Sequence, residues 1–104
     1  MRGRPTKSVI RQNIIEIINV KKRVYGYELY NYYIDIFPNV HIRSIYYHLK
    51  KGTGLKEIEI QEIKEEKGNY SWGDKAEKVY YMLGPNAKPK GSKRVLTYFL
   101  KKSH

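Results

Sequence analysis

Apolar residues recur at helical spacing in three segments of the N-terminal half of the chain. The segments are residues 7–22, 26–37 and 41–51, and their apolar positions are Ile10, Ile14, Ile17 and Ile18, then Leu29, Tyr32, Tyr33 and Ile36, then Ile42, Ile45, Tyr46 and Leu49. Each set falls on one face of a helix, so each segment is predicted to be an amphipathic helix with one buried stripe.

The boundaries between these helices carry their own signals. Pro38 is expected to end the second helix, because the residue before a proline is driven out of helical geometry. Asn39 suits the short turn that follows. Gly52 is predicted to end the third helix. A tight turn before a third short helix is the plan of a helix-turn-helix.

The period of the pattern then changes from helix to strand. Residues 56–61 alternate between polar and apolar, which predicts a half-buried strand, and the slip of phase at residues 62–63 predicts a bulge or the strand end. Residues 67–75 have the composition of a hairpin loop, and residues 79–83 form the expected return strand. Together these segments predict a two-stranded wing.

The C-terminal part is predicted to be a linker and one more helix. Residues 84–91 are rich in Pro and Gly, and residues 92–102 can form a helix with four apolar residues on one face. The expected fold is α+β, a winged helix-turn-helix with three helices, a two-stranded β-hairpin wing and a C-terminal helix. The expected divisions are a basic arm (1–6), the winged domain (7–83), a linker (84–91) and a C-terminal dimerisation helix (92–104).

The charge of the chain indicates its partner. The 104 residues carry a net charge of +11. Residues 1–23 and residues 84–104 each carry +6, whereas residues 24–83 carry −1. Two cationic ends around a near-neutral body favour a polyanion, and nucleic acid above all.

Four short motifs resemble those of PadR-type regulators, in the same order along the chain. YGYEL at residues 25–29 resembles the family's HGYEL, and SIY at 44–46 followed by Leu49 resembles SLYxxL. GL at 54–55 resembles GLI, and KVYYML at 78–83 is similar to RKYYRLT. The match spans roughly residues 9–83, and it departs from the family at Gly84, where the family has threonine. The resemblance implies a winged helix-turn-helix, usually a dimeric repressor, with the third helix in the major groove.

The third helix supplies the central candidates for DNA contact. Arg43 is expected to contact a guanine, and hydroxyl and amine groups beside it are expected to contact phosphate. Ser44 and Tyr47 could instead pack against the second helix. The full set of candidates on this helix is Arg43, Ser44, Tyr47, His48, Lys50 and Lys51.

The basic arm and the wing tip supply further candidates. Arg2 and Arg4 lie in RGRP, which matches the core of an AT-hook for the minor groove of A·T-rich DNA; a generic basic arm is the alternative. Near the wing tip the candidates are Lys67, Asn69 and Lys75, although the first wing strand is acidic and should repel phosphate. Trp72 could be a core plug or a surface residue.

The predicted C-terminal helix is too short to be stable alone in water, so its apolar face must be buried. Packing back on the first helix of the same chain is one option, and a two-fold dimer is the other. The expected dimerisation residues are Val95, Leu96, Phe99 and Leu100.

Other functional classes have little support in the sequence. There is no cysteine, and His41 and His48 lie two helical turns apart, too far to share one metal unaided, so no metal and no cofactor are expected. No paired acids or phosphate loop suggest an enzyme, and no apolar run suggests a membrane span. The sequence thus favours a cytoplasmic, homodimeric regulator of transcription that binds specific double-stranded DNA, with any small-molecule effector unknown. An architectural DNA-binding protein and a protein-interaction module are the alternatives.

Overall fold

The chain folds as a winged helix-turn-helix with a C-terminal helix, as the sequence predicts. The structure, a computed structural model, describes residues 9–37, 39–70 and 73–102, with the backbone alone for residues 62–77 within those ranges. The elements are α1 (Val9–Lys21), β1 (Val24–Tyr25), α2 (Gly26–Ile36), α3 (Ile42–Gly54), β2 (Ile58–Tyr70), β3 (Gly73–Leu83) and α4 (Lys93–Lys102).

The core lies where the three N-terminal helices meet the base of the wing. Ile14, Ile17 and Ile18 of α1 are fully buried, and they meet Leu29 of α2 and Ile45 of α3. Burial of such side chains is the dominant favourable term in folding. The remaining core members, from the same helices, both ends of the sheet and α4, are Val24, Tyr33, Ile36, Leu49, Ile58 and Val95.

The sheet has three strands in the order β1-β3-β2, one more than the sequence predicts. Val24 and Tyr25 pair antiparallel with Tyr81 and Tyr80 of β3. Strand β2 extends to Tyr70, and β3 begins at Gly73. The prediction of a loop over residues 67–75 is therefore wrong, because most of these residues belong to the two strands. The predicted bulge is confirmed, because the register shifts between Ile60 and Glu62.

The third helix continues past Gly52, and the prediction that Gly52 ends it is wrong. Gly52 is instead a packing position, because a Cβ there would lie 2.6 Å from the Cδ1 atom of Ile58. The helix closes with a Schellman motif in which the Glu57 N–H donates to the Gly52 carbonyl and the Lys56 N–H to the Thr53 carbonyl. Lys56 takes the left-handed conformation that this motif requires, with φ of 63°.

The joint between α3 and β2 is held from a second side by the chain that leaves β3. The Gly84 N–H donates to the Glu57 carbonyl, and the Asn86 backbone and side-chain N–H groups donate to the Lys56 and Leu55 carbonyls. A Cβ at position 84 would collide with the Lys56 carbonyl oxygen. This close approach explains why position 84 is glycine rather than the threonine that the sequence resemblance leads one to expect.

Candidate nucleic-acid interface

The position of α3 is set by a close approach to the start of α2. A Cβ on Gly26 would lie 2.5 Å from Cε1 of the Tyr46 ring, so only glycine leaves room for that ring. Ile45 and Leu49 anchor the opposite side of α3 in the core. Tyr46 was expected in the core, but it remains 45% exposed because it covers Gly26 at the edge of the helix pair.

The turn into α3 is fixed by Asn39 and His41. Asn39 adopts a φ of 75°, a conformation that asparagine tolerates better than most residues. His41 is the N-cap of α3, and its Nδ1 accepts the backbone N–H of Arg43 at 3.1 Å. The side chain of His41 therefore satisfies one of the free donors at the helix start.

Four of the six candidates on α3 lie on its exposed face, namely Arg43, Tyr47, Lys50 and Lys51. Tyr47 is 60% exposed, so the alternative that it packs against α2 does not hold. Ser44 is half-buried at the edge of this face. The helix contains no acidic residue, so the charged groups on this face are all positive.

His48 lies on the flank of α3 and is turned towards the protein. Its Nδ1 is buried and has no hydrogen-bond partner among the described residues. Burial, and then the charge of Arg11, lower the pKa of His48 below its usual 6.5. A neutral, half-buried imidazole is less suited to DNA contact than the four exposed residues.

The exposed face of α3 contains an open groove of about 540 Å³. Its lining combines two lysines with apolar surface, and the residues are Tyr47, Lys50, Lys51, Gly54 and Leu55. Leu55 is 39% exposed although it is apolar. Sequence reasoning missed Gly54 and Leu55 as members of this face because the helix was expected to end at Gly52.

The base of the wing is less acidic in effect than its sequence indicates. Glu57 forms a 2.8 Å ion pair with Nε of Arg11, and both side chains are largely covered. This pair ties α1 to the start of β2, and it neutralises one of the acids expected to repel phosphate. Glu59 is exposed.

The wing-tip candidates are placed by their backbone. Lys67 and Lys75 are Cα partners across β2 and β3, and Asn69 lies one residue before the end of β2. Arg2, Arg4 and Trp72 lie outside the described residues.

The outer face of the sheet carries cations stacked on tyrosines. The Arg23 guanidinium lies 4.7 Å from the Tyr80 ring centre, and the Lys78 ammonium lies 4.6 Å from that of Tyr25. The two rings pack edge to face at 5.6 Å. Each cation–π contact holds a positive charge at the base of the wing.

The C-terminal helix packs on its own chain through part of its apolar face. Val95 is buried in the core, and the Phe99 ring lies 4.9 Å from that of Tyr32 in α2. The Tyr98 hydroxyl donates to Asp35 at 2.7 Å, and burial together with this contact raises the pKa of Tyr98 to about 12. Leu96 and Leu100 are 41% and 66% exposed, so they are the part of the predicted dimer face that stays open.

The segment before α4 is fastened by Glu16 of α1. Its carboxylate accepts the backbone N–H groups of Lys90, Gly91 and Ser92 at 2.6, 3.0 and 3.1 Å, and the amide of Gln12 at 2.9 Å. Burial acts to raise the pKa of Glu16, but these donors outweigh it and lower the pKa below 4.5. One feature of the sequence marks this residue, because Glu16 is the sole acid among residues 1–23.

Within the described ranges, no three His, Asp or Glu side chains come together as a metal site. Across those same residues, none of the helices has the length and apolar character needed to cross a membrane.

Comparison with known proteins places the fold. No protein-family model matches the chain, and no curated protein sequence matches it. Among solved structures, PadR of Bacillus subtilis in complex with operator DNA is similar, with a TM-score of 0.56 and 20% sequence identity. The similarity covers 89% of this chain and 48% of that one, so the chain spans about half the length of the PadR chain.

Proposed function

We propose that the chain is a regulator of transcription of the PadR type, which binds specific double-stranded DNA as a homodimer and represses. The observation that carries the proposal is the exposed face of α3, where Arg43, Lys50 and Lys51 project from a helix without acids. The likeness to PadR, which was solved with operator DNA, supports the same partner. This reading gives the chain no enzymatic role.

In this proposal one residue of α3 contacts a base and others contact phosphates. Arg43, near the N-terminal end of the helix, reads a guanine edge, and Lys50 and Lys51 contact phosphate. The cations near the wing tip, Lys67 and Lys75, contact the phosphate backbone of the DNA beside the wing. Arg2 and Arg4 of the arm enter the neighbouring minor groove, with a preference for A·T-rich flanks if the AT-hook resemblance holds.

The exposed leucines of α4 support the dimer. Leu96 and Leu100 leave an apolar strip on a helix whose other apolar residues, Val95 and Phe99, pack within the chain. A two-fold pair through this strip would present two recognition helices to a palindromic site. Sedimentation of a Leu100→Glu variant beside the intact protein tests the dimer, because Leu100 is the more exposed of the two leucines and its replacement leaves the core intact.

Selection of bound sequences from a random duplex pool tests the proposal as a whole. A regulator should enrich one motif and bind it at least about 10³-fold more tightly than bulk DNA. Affinity should fall with salt with a log–log slope near −0.9 for each phosphate contact. Binding without enrichment would point to the architectural alternative, which the cationic chain ends favour, and no binding at low salt would leave the protein-interaction alternative.

A pair of matched variants locates the interface. Arg43→Ala should weaken binding to the selected duplex by about 1–3 kcal/mol and relax the preference at one base pair. Lys93→Ala removes the same charge from an exposed position on α4, away from α3, and should leave that preference unchanged. Equal effects of the two variants would exclude α3 as the reading helix.

A further inference from the structure

Gly54 is a glycine for which the fold itself gives no reason. It lies exposed in the last turn of α3, where glycine weakens a helix relative to alanine. Its φ is not in the left-handed region, and that position in the helix end belongs to Lys56. A Cβ at Gly54 would meet nothing within 4 Å, whereas a Cβ at Gly26, Gly52 or Gly84 would collide with a neighbour.

A glycine that neither backbone nor packing requires is suited to the close approach of another molecule. Gly54 lies two helical turns after Tyr47 and lines the same groove as the Tyr47 ring and Leu55. Both apolar side chains are exposed, and Lys50 and Lys51 flank them. The groove therefore offers an apolar recess inside a cationic surface.

We propose that this groove receives the C5-methyl groups of thymine in the major groove of DNA, with the Tyr47 ring and Leu55 as the contacting walls. The inference rests on the proposed function and adds a base preference to it. Thymine methyl is the apolar group that base pairs present in the major groove. A phosphate contact would use the Tyr47 hydroxyl and the two lysines, and it would not require an exposed Leu55 in the same groove.

The experiment uses the full chain and the duplex selected from the random pool. Each thymine in turn is replaced by deoxyuridine, which removes the methyl group and leaves every hydrogen-bonding group in place. Each contacted methyl should be worth about fourfold in affinity. At the same position, a cytosine–guanine pair and a 5-methylcytosine–guanine pair differ by the methyl group alone, so the methylated pair should bind more tightly.

Variants of the groove assign the effect to its residues. Tyr47→Phe retains the ring, so it should still bind the deoxyuridine duplex more weakly than the thymine duplex. Tyr47→Ala should bind the two duplexes with equal affinity. Gly54→Ala should melt at a higher temperature than the natural chain and yet bind the selected duplex about fivefold or more weakly, because the added methyl occupies the recess.

The outcomes separate this inference from the function on which it rests. Failure to enrich any motif overturns both. An enriched motif whose thymines can all be replaced by deoxyuridine without loss overturns the inference and leaves the function standing. Loss of binding in Tyr47→Phe equal to that in Tyr47→Ala also overturns it, because the hydroxyl rather than the ring would then make the contact. A stable Gly54→Ala chain with unchanged affinity excludes the close approach.

Discussion

The Glu16 carboxylate should be one of the most important polar groups for stability in the chain. It accepts three consecutive backbone N–H groups from residues 90–92 and is itself almost fully buried. Hydrogen bonds to a charged group contribute about 1.5–3 kcal/mol each, but the three share one carboxylate and the segment can open to water. We therefore expect Glu16→Ala to lower the free energy of unfolding by about 2–4 kcal/mol.

Urea unfolding followed by far-ultraviolet circular dichroism at pH 7 measures this change. For a domain of this size the expected loss corresponds to a fall in melting temperature of about 10–20 °C. Glu59→Gln is the matched control, because it removes the same charge from an exposed carboxylate and should change stability by less than about 0.5 kcal/mol. A Glu16→Ala chain within that same margin would refute the role given to the carboxylate.

The pH dependence provides an independent check on Glu16. Because the folded state holds the pKa of Glu16 below 4.5, the contribution of the ionised group is complete above that pH and is lost as pH falls through the folded-state pKa. The stability difference between the natural chain and Glu16→Gln should therefore shrink on acidification below pH 4.5. A difference that stays constant down to the acid transition would contradict the charge-based account.

Three further perturbations test other parts of the fold. Gly26→Ala should cost about 1–3 kcal/mol in urea unfolding through the collision with Tyr46, and adding Tyr46→Ala should recover part of the loss. Lys56→Gly should stabilise by about 0.5–1 kcal/mol in the same assay, because it relieves the left-handed conformation at the end of α3; a loss would show that Lys56 has a contact that outweighs the strain. His48→Gln should remove the loss of stability that the natural chain shows as pH falls below 6.5, because the lowered pKa means that the folded state resists protonation there; identical pH profiles of the two chains would argue against it.

The sequence predicts the four helices and the existence of a wing, because their apolar periods are distinctive, but it makes both wing strands too short and the loop between them too long. It does not predict β1, since the two residues Val24 and Tyr25 cannot display an alternation. It also misplaces the end of α3. Glycine commonly ends a helix, but Gly52 is small because the Ile58 side chain packs against it. The helix ends instead at Gly54, and the left-handed residue that follows it is Lys56, a conformation that a lysine in the sequence does not indicate.

The candidate site is predictable in part for a similar reason. Helical phase separates Arg43, Tyr47 and Lys50 from the buried stripe, and all three are exposed. Helical phase does not show which flank of the helix is covered by the rest of the chain. The sequence therefore predicts His48 on the outer surface, whereas the structure half-buries it near the charge of Arg11. In α4 the apolar pattern does not distinguish the residues that pack within the chain, Val95 and Phe99, from those that stay exposed, Leu96 and Leu100.

The joint between α3 and the wing has a consequence for the affinity and the rates of the DNA binding that we propose. Residues 55–57 are held by the helix end, by Asn86, by Gly84 and by the Arg11–Glu57 pair, so α3 and the base of the wing are held in one relative orientation. A partner that engages both elements therefore does not have to freeze a hinge between them, and little conformational entropy is lost at this point on association. We expect that loosening the joint, for example with Asn86→Ala, would appear mainly as faster dissociation from DNA, with an association rate still governed by charge.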